Sequence, residues 1–143
     1  MKIKLLSILT VMAVSLFSFR ADNPIRIVFF GDSITQAGVG PTGYITKMSQ
    51  IIAKEGLAAK YELIGAGIGG NKVYDLYLRH EEDVIAKKPN IVIIYIGIND
   101  VWHKTSSRTG TDADKFERFY NALIKKIQNS GAQVVICTPT VVG

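Results

Sequence analysis

The run Gly31-Asp32-Ser33-Ile34-Thr35 stands directly after the apolar segment Ile25–Phe30. A serine just beyond a buried strand carries its hydroxyl and its own N–H at the edge of a sheet, where a nucleophile and an oxyanion donor can act together. Taken alone, the run reads more simply as a turn in which Asp32 or Ser33 bonds neighbouring backbone. Two other segments bear on the choice. Gly97-Ile98-Asn99-Asp100 follows the apolar run Ile91–Ile96 and offers a side-chain amide that can donate to an oxyanion, against the plainer reading of an Asn-Asp turn. Gly65-Ala66-Gly67-Ile68-Gly69-Gly70-Asn71 is glycine-rich and leads into a helical pattern, so that a backbone N–H there can approach a ligand closely.

The glycine segment also spells G-x-G-x-x-G. A dinucleotide site needs that spelling after the first strand, with an acidic residue about 20 residues later at the end of the next strand. Here it follows the second strand-like run and the next run ends at Ile96-Gly97, so NAD binding is disfavoured. A flavin mononucleotide site is disfavoured too, because Ser33 and Thr35 are the only hydroxyls in the first loop. Bases for the serine are scarce. The chain has two histidines, His80 on an apolar helical stripe and His103 in Asp100-Val101-Trp102-His103. The latter is Asp-x-x-His by letter, but it overlaps the Asn99 loop and would approach Ser33 from the wrong side. His103 is therefore expected to be a loop or substrate-facing residue, and His80 a packed residue at the core's edge.

The elements that must position these groups alternate. The continuous β-branched runs at 25–30, 61–64, 91–96 and 133–138 read as strands buried on both faces of a parallel sheet. Between them, apolar stripes at helical spacing predict helices over 44–55, 72–87 and 112–129, with N-caps at Asn71 and at Thr111 or Asp112. Right-handed crossovers turn this order into a three-layer α/β domain, a flavodoxin-like open parallel sheet with helices on both faces. Ligands bind beyond the C-terminal ends of such strands, so the loops after residues 30, 64, 96 and 138 form the candidate site.

In that order the three motifs resemble the SGNH, or GDSL-type, hydrolase family, across residues 25–143. The resemblance implies a serine esterase with Ser33 as nucleophile and the Ser33 N–H, the Gly70 N–H and the Asn99 side chain as the oxyanion hole. Gly31, Asp32, Gly97 and Asp100 complete its motifs. Gly65 and Asn71 depart from the family's second motif. The family's Asp-x-x-His loop, which supplies the base and the carboxylate orienting it, is expected beyond Gly143. No cofactor and no metal are implied. The family acts on small esters, and the sequence tilts toward short acyl groups on carbohydrate. The rival reading is a non-catalytic ligand-binding α/β module without a general base.

The remaining features set the context. The 143 residues suit one domain of ordinary globular composition, 48% apolar and 20% charged. Cys137 is the single cysteine, which excludes an internal disulfide and any cysteine-based zinc site within this sequence. Lys2 and Lys4 precede a 15-residue charge-free run, Leu5–Phe19, which reads as a signal peptide over about 1–21 ahead of a domain at 22–143. The expected location is secreted or periplasmic, a retained anchor being the alternative. The net charge of +5 falls to +2 once Lys2, Lys4 and Arg20 are removed, with no basic cluster of the kind that binds nucleic acid.

Overall fold

A computed structural model describes residues 23–139, so the signal-peptide assignment lies outside the described residues. Strands β1 (Ile25–Gly31), β2 (Tyr61–Gly67), β3 (Ile91–Tyr95) and β4 (Gln133–Cys137) form one parallel sheet in the order β2-β1-β3-β4. The helices are α1 (Ser33–Gly38), α2 (Tyr44–Lys54), α3 (Val73–Asp83), α4 (Ile98–Ser106) and α5 (Ala113–Asn129). The expected α/β architecture is therefore present.

One face of the sheet is sealed. Val28, Phe30, Val92 and Ile94 point into a core completed by Leu76 of α3, Val84 beyond its end, and Leu123 and Ile127 of α5, all fully buried. Burying one such aliphatic side chain contributes about 1.5–3 kcal/mol, so this core is what holds the strand ends in register. On the other face α2 packs beside β1, with Tyr44 edge-on to Phe29 at 5.8 Å. Phe29, Ile34, Tyr44, Met48, Ile93 and Tyr95 there line an open apolar hollow of about 690 Å³.

Strand β4 is not buried on both faces as expected, since Val135 and Ile136 are exposed at the sheet's edge, and further details differ from the sequence expectation for local physical reasons. Strand β2 runs on through Gly65-Ala66-Gly67, whose partners are Phe29, Phe30 and Gly31 of β1. Glycine occupies these positions because α1 lies against the strand. A side-chain carbon at Gly67 would stand 2.1 Å from the Gln36 nitrogen, and one at Gly65 would stand 2.3 Å from Val39. Helix α1 is only 6 residues long and has no apolar stripe to betray it. Helix α4 forms where a loop was expected; it rides on the rim with Val101 and Trp102 exposed, so it too lacks a buried stripe. The third predicted helix stops at Asp83, and a 3-10 turn over Ile85–Lys87 carries the chain to Pro89, before which α-helical geometry is disfavoured.

Candidate active site

The end of β1 is shaped by contacts that tolerate no larger residue at Gly31. A side-chain carbon there would lie 2.3 Å from the Tyr95 carbonyl oxygen and 2.4 Å from the Thr35 hydroxyl. Asp32, 1% exposed, caps α1: its Oδ1 accepts the Ile34 N–H at 3.0 Å. Burial pushes the Asp32 carboxyl above its ordinary value, and the Ile34 N–H pulls against that shift. Ser33 is the first residue of α1 and is exposed. Its N–H, one of the donors a helix start leaves over, has no acceptor among the described residues.

Facing Ser33 is the turn after β2. The Gly69 N–H donates to Gln36 Oε1 at 2.7 Å, and a side-chain carbon on Gly69 would sit 3.8 Å from the Ser33 Cβ. Gly70 adopts φ of +76°, a region that favours glycine. Its carbonyl accepts the ammonium of Lys72 at 3.2 Å, while its N–H has no acceptor among the described residues. Asn71 does not cap α3 as expected. Lys72 takes the cap position, its N–H donating to the Asp75 carboxylate at 2.8 Å.

Asn99 closes the group from the third strand end. It follows Gly97, whose φ is +130°, and is 4% exposed in the first turn of α4. Its Nδ2 donates to the Asn71 carbonyl at 3.0 Å, which spends one of the two amide hydrogens. The Gly69–Gly70 turn thus lies against Ser33 at Gly69, and Asn99 is tied to the same turn through Asn71. Gly97 caps α4 and Asp100 lies in its first turn, on either side of Asn99.

Asp100 has a different employment. Both its carboxylate oxygens lie 3.2 Å from the Val73 N–H at the start of α3. It is 2% exposed, and burial raises its carboxyl above the ordinary value, with the Thr111 side chain, the Val73 N–H and Lys72 acting the other way. Asp100 therefore does not orient His103. The His103 Cε1 lies 4.0 Å from where a Gly70 Cβ would be, which puts this ring beside the turn. Among the described residues no hydrogen bond joins it to Ser33. His80 is buried, stacked on Tyr77 with its Nδ1 at the Tyr77 carbonyl, as expected of a core-edge histidine.

Gln36, Lys72 and Arg79 act on these loops without having been singled out in the sequence. Each lies on or at a helix with ordinary surface chemistry, and only their partners, up to 48 residues away, reveal them.

The comparisons with known proteins agree with this architecture. Residues 29–143 match the GDSL-like Lipase/Acylhydrolase family. An acetylxylan esterase of Geobacillus stearothermophilus is 31% identical over a region covering 80% of this chain and 59% of that protein. The crystal structure of the acetyl xylan esterase AlAXEase superposes with a TM-score of 0.82 at 59% identity, covering 83% of this chain and 60% of that one. Axe2, an acetylxylan esterase of Geobacillus stearothermophilus, gives a TM-score of 0.69 at 29% identity, covering 85% of this chain and 62% of that one. Catalytic variants of Axe2 replace a serine early in its chain and, far downstream, an aspartate and a histidine three positions apart. The chain thus spans about three-fifths of the length of these relatives. With its strand order, its three loop motifs and the match over 29–143, the chain belongs to the GDSL-like lipase/acylhydrolase family.

Proposed function

We propose that this chain carries the nucleophile and oxyanion hole of an exported serine esterase that removes acetyl groups from carbohydrate. The observation that carries the reading is the exposed Ser33 at the start of α1, set against a glycine turn whose Gly70 N–H is unengaged among the described residues. In this reading the Ser33 hydroxyl attacks the ester carbonyl carbon and yields its proton to a base. The Ser33 N–H, the Gly70 N–H and the second amide hydrogen of Asn99 receive the oxyanion. Collapse of the tetrahedral intermediate releases the alcohol, and water then frees the acid from the acyl-serine.

The acetyl-carbohydrate preference rests on the acetylxylan esterases among the relatives. The base is assigned to an Asp-x-x-His segment outside residues 23–139, since Asp100 is committed to α3 and the Axe2 variants point to a downstream pair of that spacing. Export rests on the Leu5–Phe19 run behind Lys2 and Lys4.

The test is Ser33→Ala in the full-length protein, assayed for acetate release from acetylated xylo-oligosaccharides and for labelling by a fluorophosphonate. Both are expected to vanish. Labelling that persists in the alanine variant moves the nucleophile to another residue. A wild-type protein that binds the oligosaccharide but neither releases acetate nor takes the label is the ligand-binding module instead.

A further inference from the structure

Arg79 is the most heavily engaged side chain near the site, and the mechanism above does not use it. It sits midway along α3, and because helix side chains lean toward the N-terminus it runs back beneath the sheet's C-terminal edge. Its Nη2 donates to the Gly31 carbonyl at 2.9 Å and to the Ala66 carbonyl at 3.0 Å, bridging the ends of β1 and β2. Its Nε donates to Asn71 Oδ1 at 2.8 Å, and its Nη1 to Asp83 at 2.6 Å. The guanidinium carbon also lies 4.5 Å above the Phe30 ring, and the side chain is 15% exposed.

Three of the four hydrogen-bonded partners, all but Asp83, lead to the candidate site. Gly31 lies two residues before Ser33, and Ala66 belongs to the strand that ends in the glycine turn. Asn71 directly follows Gly70, and its carbonyl accepts the Asn99 amide. A continuous chain of bonds therefore runs from β1 through Arg79 and Asn71 to Asn99. Only a planar fork with five N–H donors can serve all four acceptors at once; an ammonium of similar reach offers three donors from a single point.

We propose that Arg79 is a positioning residue for the esterase site, holding the Ser33 strand end and the Gly69–Asn71 turn at a fixed separation so that the oxyanion donors converge. This rests on the esterase reading. Loosening the fork lets the turn drift relative to Ser33, and a shift of about 1 Å at a reacting centre costs roughly 10²-fold in rate.

The decisive variant is Arg79→Lys in the full-length protein, with Asp83→Ala as control, since the latter removes only the partly exposed partner outside the site. The Lys variant is expected to lose roughly 10- to 100-fold in kcat on p-nitrophenyl acetate with KM nearly unchanged, because oxyanion donors act in the transition state. The control is expected to keep both parameters. Wild-type kcat in the Lys variant, or equal losses in the two variants, overturns the proposal. If the Lys variant does not fold, Asn71→Ala decides, because it cuts one arm while leaving both strand carbonyls bound; an unchanged kcat there is equally fatal.

Absence of ester turnover in the wild type would strike the esterase reading alone, and amide hydrogen exchange then judges Arg79. Faster exchange at Ile68 and Gly69, whose N–H groups bond Gly31 and Gln36, with unchanged protection in β3, supports the clamp. Unaltered exchange at Ile68 and Gly69 sinks it.

Discussion

Ser33 owes its exposure to Asp32, which turns inward to cap α1 and so leaves the next side chain at the mouth of the loop. The opposing donor is held differently. The Gly70 carbonyl is held by Lys72, while the Gly70 N–H, which belongs to the preceding peptide, has no acceptor among the described residues. Asn99 is nearly buried and half-spent on the Asn71 carbonyl, an arrangement that fixes the amide plane. In the esterase we propose, preorganised donors of this kind would act mainly on the transition state. Asn99→Ala is accordingly expected to lower kcat roughly 10²–10³-fold, about 2.7–4 kcal/mol, with little change in KM. Steady-state kinetics on an acetyl ester checks this, and a rise in KM at constant kcat would make Asn99 a substrate-binding residue instead. The letters of these motifs were readable in the sequence. That Asp100 serves Val73 and not His103 was not, because its partner lies 27 residues away on another element.

Helices α3 and α4 meet at that same carboxylate. Asp100 reaches from the first turn of α4 to the first N–H of α3, so one side chain links the Asn99 loop to the glycine loop. The link carries a desolvation cost, which raises the folded-state pKa of Asp100 above its ordinary 3.8. The folded protein then holds this proton more tightly than the unfolded chain. The contribution to stability is fully present below 3.8 and is lost as pH rises through the folded value. Asp100→Asn keeps an oxygen for the Val73 N–H and removes the buried charge. It is expected to melt a few degrees higher than the wild type near neutrality, with the difference fading as the pH falls toward 3.8. Thermal melts across that range give the answer; a neutral-pH loss of stability would mean that the charge's attraction for Lys72 and the start of α3 outweighs its burial. At this scale the strong periodic elements were legible, α5 above all. Helices α1 and α4 were not, since each is short or lies on the rim where no apolar stripe is required.

Over the described residues the fold brings three strand ends to one sheet edge, with the core between the sheet and α3 and α5 beneath them. Leu123, fully buried in that cluster, is a fair probe. Leu123→Ala is expected to cost about 2–5 kcal/mol, a large share of a typical domain's stability. Urea unfolding measures it, and a loss under about 1 kcal/mol would mean that α5 is loosely seated. The alternation of β-branched runs with helical stripes determined the parallel α/β sheet from the sequence alone, because burial periodicity is a local property of the chain. The serine, glycine and asparagine motifs were likewise legible as strand-end chemistry. The glycines of β2 and the partners of Arg79 emerged only in three dimensions. Gly65 and Gly67 read as loop residues until α1 is seen to press on the strand, and Arg79 finds Gly31 48 residues away only once the crossovers have laid β1 beside β2. Such contacts depend on the geometry of packed elements, and no pattern within a short window of residues encodes them.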